Sequence, residues 1–207
     1  PVVRGQIEGL TGQPRFVARN DSAVISQKEW PPETQLGHSG AIEFLFTWGR
    51  GGALSGHRIV AVGHRVVHGG TKFHAPVLVN PETLAELEAL NPLAPLHQPH
   101  NVAVIRAVAE IVPTVPQVAC FDTAFHRTQP AVAQAFALPR RYAEEGGRRY
   151  GFHGLSYEYV ASVLPTIDRR GAEGRTVVAH LGNGASMCAL SGGRSVATTM
   201  SFTALDG

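Results

Sequence analysis

The sequence predicts an α/β protein in which buried strands alternate with helices, followed by a run of β-hairpins. Short apolar runs rich in β-branched residues occur at Arg58-Ile59-Val60-Ala61-Val62 and from Val115 to Phe121. Between them lie amphipathic stretches of helical length, the pattern of strands covered by helices. After about residue 165 the pattern changes: TVVAHL, SMCALS and SVATTM follow one another with only GNG and GG turns between them, which fits an antiparallel β-meander. A chain of 207 residues that is 43% hydrophobic can bury one good core, or one complete domain and the beginning of another. The division is placed at residue 150, with an α/β domain over 1–150 and a connecting helix and first strands of a second domain over 151–207.

The elements can be argued in order. The first 35 residues mix β-branched residues with glycine and fit short antiparallel strands joined by turns. Residues 39–48 (SGAIEFLFTW) read as a helix, and 49–56 as a loop leading to the strand at 58–62, which ends at HRVVHGG. Asn80-Pro81-Glu82 supplies an N-cap, a first-turn proline and an early acid, opening a helix to about Leu90. A second helix from about Asn101 to Val112 follows the proline-studded NPLAPLHQPHN, and the strand from Val115 ends at DTAFH. Ser156 is placed as the cap of a helix through Leu164, and RRGAEGR as a polar connector.

Composition narrows the function. Formal charge is +2, with 16% charged residues and the basic ones scattered. The footprint of a nucleic-acid binder is missing. Cys120 and Cys188 lie in apolar β-like runs and read as two buried thiols in a reducing compartment. No run of about 18 apolar residues and no signal-peptide core argue for a membrane or secretion, so cytoplasm is the default. A start at Pro1 rather than Met, and an end at Gly207 in mid pattern, read as a fragment of a longer chain.

Four clusters share one design, in which a strand or stiff loop delivers polar residues at its end, where open α/β sheets bind ligands. They are HRVVHGG from His64, PLH at Pro95–His97, DTAFH from Asp122, and HLGNG from His180. HRVVH is not a zinc-protease helix, because Arg65 stands where the general-base glutamate should be and the surroundings favour a strand. On a strand, Arg65 and Val67 share one face. A guanidinium beside a valine suits a small carboxylate, and a structural salt bridge from Arg65 is the open alternative. His97, between Pro95 and Pro99, is either a held donor or a loop histidine bonded to backbone. Asp122 could bind Mg²⁺, directly or through water, or cap a turn. Gly182-Asn183-Gly184 fits both a phosphate-binding turn and a plain hairpin. His153, flanked by Gly151 and Gly154 within RRYGFHGLSYEYV, suits a side chain held out to a ligand or any tight turn. With no nucleophile elbow and no P-loop in sight, this donor-rich set suits direct phosphoryl transfer.

VGHRVVHGG, PLAPLHQPHN, FDTAFHRTQP, RRYGFHG, HLGNGAS and TTMSFTALDG occur in the order and approximate spacing of the acetate kinase family, within the acetate and sugar kinase, Hsp70 and actin superfamily. The resemblance spans residues 60 to 207. It implies an actin-like (ribonuclease H-like) fold of duplicated domains and the reaction of ATP and acetate to give acetyl phosphate and ADP, reversibly, with Mg²⁺.

By motif, Arg65 looks like the arginine that holds the carboxylate and the transferring phosphoryl group, and His153 like the histidine that donates to that phosphoryl. His97 looks like a supporting donor. Asp122 resembles the essential aspartate that positions metal and arginine, with no certain metal ligand elsewhere in the chain. His180, Leu181, Gly182, Asn183 and Gly184 fall on the phosphate-binding turn, and Val67, Leu96 and Phe152 on the wall around the acyl methyl group. The implied partners are acetate and ATP, without nucleic acid or membrane, and the full-length parent would be a homodimer.

The departures matter too. The family's opening phosphate loop has no counterpart here, and its second essential arginine, metal-binding glutamate and adenosine pocket are expected beyond Gly207. The fragment alone is therefore expected to lack turnover. Tyr157 replaces a usual histidine, and SFTALDG a commoner GFTPLEG. These leave propionate and butyrate kinases open, as well as a non-catalytic nucleotide- or acyl-ligand-binding relative. A histidine-rich metal hydrolase is a further alternative, which would require stoichiometric zinc.

Overall fold

A computed structural model describes residues 2–52 and 54–205. Two compact units emerge, one comprising the chain up to Ala61 together with Ala103–Pro116, the other Val62–Val102 together with Gln117–Gly207. In the first, β1 (Arg4–Glu8), β2 (Arg15–Arg19) and β3 (Val24–Glu29) form an antiparallel sheet in that order. The turn before β3 is closed by Asn20, whose Oδ1 accepts the amides of Ser22 and Ala23 at 3.0 and 2.9 Å, the side-chain turn at which asparagine excels. Helix α1 (Gly37–Gly51) covers the sheet through aromatics: Phe16 of β2 meets Phe44 and Trp48 edge-on, with centroids 5.0 and 5.1 Å apart. Trp48 donates its indole N–H to Ser26 Oγ at 3.0 Å, so the half-buried ring keeps a partner for its one polar atom.

The second unit carries the parallel pairing expected of an α/β chain, with one shift of register. Strand β4 runs Val62–Val66, not 58–62, because pairing with β6 (Gln117–Phe121) aligns Val62 with Gln117 and Val66 with Phe121. Apolar character did not choose the strand: Ile59 and Val60 are exposed, while the polar-looking VGHRV is the segment with a neighbour. β5 (Val77–Leu78) pairs antiparallel on the other edge of β6.

Helix α2 (Pro81–Ala89) starts as anticipated, with Asn80 Oδ1 accepting from the Thr83 amide at 2.7 Å and proline in the first turn. Helix α3 (Gln98–Ile111) begins in this unit, and its residues from Ala103 belong to the first. Short helices α4 (Ala131–Gln134) and α5 (Arg140–Glu144) lead to α6 (Gly154–Ile167).

Two expectations fail here in an instructive way. Ser156 does not cap α6; the cap position is His153, in a left-handed conformation at φ 59°, and Ser156 sits in the first turn with its amide donating to His153 O at 3.0 Å. The connector RRGAEGR contains a helical turn, α7 (Arg169–Glu173), capped by Asp168 Oδ1 accepting from the Gly171 amide at 3.0 Å. The meander forms as expected, with β7 (Arg175–Leu181), β8 (Ala185–Ser191) and β9 (Arg194–Thr198) antiparallel in order. Cys188 is buried and Cys120 half-buried, both as free thiols. No helix among the described residues is long and apolar enough to cross a membrane.

Two histidines are structural. The His126 ring bridges Ser195 Oγ and the carbonyl of Phe152 at 2.9 and 2.8 Å. A carbonyl can only accept, so Nε2 carries the proton and Nδ1 accepts from the serine. His68 is fully buried against the edges of Tyr150 and Phe152, with Nδ1 accepting the Gly70 amide at 2.8 Å. Burial pushes both down to about 4 from an ordinary 6.5. Because the unfolded chain takes up these protons first, stability present above pH 6.5 is lost as pH falls toward 4. Urea unfolding across that range should show a fall of up to about 1.4 kcal/mol per pH unit for each histidine, reduced by one such share in His126→Gln. Asn80→Ala should cost about 1 kcal/mol at any of these pH values, as loss of a helix cap.

Candidate active site

The segment following β4 is held open by side chains instead of a neighbouring strand. Asn101 Oδ1 accepts from the Val67 amide at 2.9 Å. Gln98, itself fully buried, accepts from the His68 amide and donates to the His68 carbonyl, both at 3.2 Å. Thr123 Oγ1 accepts from the Gly69 amide at 3.0 Å. The side-chain amides from the start of α3 hold the bend at Val67, just past the end of β4, and Arg65 and Val67 line the same cavity.

Arg65 projects toward a residue delivered by the parallel neighbour. Its Nε lies 3.2 and 3.1 Å from the two oxygens of Asp122, and Nη2 donates to Oδ2 at 2.6 Å. The carboxylate is buried, while 64% of the guanidinium side chain remains exposed. The hydrogen bonds to Asp122 raise the Arg65 pKa further, against a smaller loss from burial. The main chain of Asp122 is equally engaged. Its amide donates to Val66 O at 3.0 Å, and its carbonyl accepts from the Gly154 amide at 2.8 Å. A Cβ on Gly154 would lie 2.1 Å from that carbonyl, so only glycine lets the start of α6 approach so closely.

That seat fixes His153. Its ring stacks on His180, centroids 4.0 Å apart and planes 25° from parallel. Its Nδ1 meets Ser186 Oγ at 2.8 Å, and His180 Nδ1 meets Ser156 Oγ at 2.9 Å. Burial lowers the His153 pKa, His180 lowers it further, and Asp122 opposes both. The histidine is thus a neutral hydrogen-bonding group near neutral pH.

The GNG turn packs against both rings. Neither glycine adopts positive φ, so this is not the type I′ hairpin that Asn-Gly usually signals. Its glycines provide room: a Cβ on Gly184 would sit 3.3 Å from the His153 ring, and one on Gly182 3.1 Å from His180 Nε2.

Arg65, Val67, His97, Asn101, His153, His180, Asn183, Gly184, Met200 and Ala204 line one cavity of about 600 Å³. Seven of the residues singled out in the sequence meet there. Val67, Leu96, His97 and Phe152 also line a smaller cavity of about 190 Å³, which shares Val67, His97 and Ala204 with the first. Leu96 is largely exposed and Phe152 fully buried, so they contribute to that smaller space only. Leu181 and Gly182 line neither cavity, and Leu181 is exposed at the turn. Asn101, Ser186, Met200 and Ala204 lay inside the quoted motifs LHQPHN, HLGNGAS and TTMSFTALDG but were not singled out. Their signal was position within a motif, not residue type.

Chemically the larger cavity offers donors: a guanidinium, three imidazoles, two side-chain amides and glycine backbone. A phosphoryl or carboxylate anion fits that set. Both oxygens of Asp122 accept from Arg65, so its carboxylate is already engaged by a cation. Among the described residues no group of three or more His, Cys, Asp or Glu could hold a metal ion.

Known proteins share the sequence and the fold of this chain. The family model described as the acetokinase family matches residues 17–207. An acetate kinase of Methylocella silvestris is 58% identical over the whole chain, and one of Rhodopseudomonas palustris 53%. The chain spans about half the length of these curated relatives, 52% in each case. Among solved structures, a propionate kinase from Francisella tularensis superposes with a TM-score of 0.87 at 35% identity, over all of this chain and 52% of its own. Acetate kinase from Porphyromonas gingivalis gives 0.86 at 34%, over all of this chain and 53% of its own. The fold is therefore the actin-like α/β fold of these kinases, and the chain belongs to the acetokinase family.

Proposed function

We propose that the protein to which this chain belongs is a phosphotransferase with a carboxyl group as acceptor, an acetate kinase that converts acetate and ATP to acetyl phosphate and ADP and back. The observation that supports this best is the single cavity in which Arg65, His97, His153, His180 and the GNG turn converge beside the apolar Val67. A carboxylate oxygen attacks the terminal phosphorus as the bond to the bridging oxygen breaks, and ADP leaves with that electron pair. No proton has to move. Catalysis of such a step is positioning and charge neutralisation, and the residues suit those tasks.

Arg65, aligned by Asp122, holds the acceptor carboxylate and then the phosphoryl oxygens. His153 donates to the phosphoryl as its charge spreads, with His97 as a supporting donor nearby. The turn at Asn183 and Gly184, with His180 beside it, receives the donor phosphates. Val67, Leu96 and Phe152 wall the smaller cavity that takes the acyl methyl group. ATP supplies the phosphoryl group, and Mg²⁺, when bound, would neutralise its phosphates. Asp122 is the residue of this chain that could help to hold it, indirectly through water. In the same reading, residues 1–150 form the N-terminal domain and 151–207 open the nucleotide-side domain of a cytoplasmic homodimer that binds neither nucleic acid nor membrane.

A hydroxamate assay of the full-length protein tests this. Acyl phosphate should form with acetate, and His153→Ala and Arg65→Ala should each lower kcat by roughly 10²–10³-fold, the usual cost of removing one donor to developing charge. Near-normal kcat in both variants would sink the site assignment. Val67→Ala should move preference from acetate toward propionate by roughly tenfold or more in kcat/KM, since a methylene in such a pocket is worth about 1–3 kcal/mol.

A further inference from the structure

His153 reaches the cavity with one nitrogen and the protein interior with the other. Its Nδ1 meets Ser186 Oγ, while Nε2 lies against Gly184, a cavity-lining residue. Which nitrogen carries the proton decides whether the neutral ring donates to an anion or repels it with a lone pair. The ring alone does not decide this. Behind Ser186 stands Tyr157, fully buried, with its hydroxyl 2.5 Å from Ser186 Oγ.

We propose that Tyr157 and Ser186 form a hydroxyl relay that sets the tautomer of His153, keeping its proton on Nε2, where it faces the cavity. The argument is a count of protons and acceptors. The phenol is fully buried, and that burial keeps it protonated. Its own proton then needs an acceptor, and Ser186 Oγ is the oxygen within reach. Ser186, having accepted, directs its single proton to His153 Nδ1, and Nδ1 must therefore be the lone pair. In the reverse direction, His153 Nδ1–H would donate to Ser186 and Ser186 to Tyr157. The phenol proton would then be buried without an acceptor, at a cost of about 1–3 kcal/mol, which biases the tautomer by one to two orders of magnitude.

Tyr157 stands where the motif resemblance has a histidine, and the change has a chemical sense. A phenol holds its proton on one atom and is neutral across the whole physiological range, whereas an imidazole carries its proton on either nitrogen. Tyr157 therefore gives the relay a fixed direction. It acts through Ser186 and His153 as a positioning residue and does not touch the cavity, whose lining does not include it.

The tautomer can be read by long-range ¹H–¹⁵N correlation on ¹⁵N-histidine-labelled 207-residue chain at pH 7.5. We expect His153 to show a protonated Nε2 and an unprotonated Nδ1. Tyr157→Phe and Ser186→Ala should each shift it to a mixture, and Ser186→Thr should restore the single form. A wild-type His153 protonated on Nδ1 overturns the proposal, as does an unchanged tautomer in a folded Tyr157→Phe or Ser186→Ala chain. The purpose of the relay rests on the kinase reading, but the tautomer does not. In the full-length protein, Tyr157→Phe should lower kcat roughly 10- to 100-fold with KM for acetate unchanged. Absence of acyl phosphate formation by the wild type would count against the kinase reading while leaving the NMR result standing.

Discussion

The site depends on what happens at Asp122, the first residue past β6. Its carboxylate takes Arg65 from the parallel neighbour β4, its amide closes the last rung between those strands, and its carbonyl seats the amide of Gly154 at the start of α6. One residue thereby fixes three segments distant in sequence. The burial that makes the carboxylate useful would be costly for an unpaired charge, and the Arg65 pairing is what makes it tolerable. The strength of the ion pair follows from geometry more than from its count of bonds. A carboxylate with 1% exposure cannot swing to a different partner.

From Asp122 the ordering passes to the loop Gly151–Gly154. Gly151 adopts positive φ, and a Cβ there would lie 2.6 Å from the His126 ring. His126 holds the carbonyl of Phe152, and the Gly154 amide is taken by Asp122, so both neighbours of His153 are bound. The left-handed φ of His153 is uncommon for a residue with a side chain. It persists because the bonds on either side over-determine the backbone. The ring then has few positions available, between the His180 face and Gly184.

Much of this could be read in the sequence, and the failures have physical causes. Strand alternation put Arg65 and Val67 together, and both line one cavity, while Asn80 announced its helix by residue type and spacing. The strand at 58–62 was misplaced because apolar content marks what can be buried, while a parallel strand is chosen by the neighbour it pairs with, which no local pattern reveals. The role of Ser156 as a cap was a fair local inference, overridden because the carbonyl of Asp122 already served the helix start at Gly154. The structural partners Asn101, Ser186 and Gln98 were hidden for a related reason. An amide that stands in for a strand, or a hydroxyl behind an imidazole, has no spacing signature. The histidines illustrate the limit best: His126 and His153 sit in similar surroundings in the sequence, yet one bridges a serine and a carbonyl inside the core and the other opens on the cavity.

The asymmetry of the Arg65–Asp122 pair has a thermodynamic consequence. Two nitrogens of the guanidinium are committed to the buried carboxylate, and the rest of the planar fork is turned outward. A flexible cation in water would have to shed its hydration and lose rotamer freedom each time an anion arrived. Here that ordering is completed once, when the chain folds, and its cost is charged to the stability of the fold. Any anion that met this guanidinium would find a cation already oriented, so little reorganisation would be left for that moment.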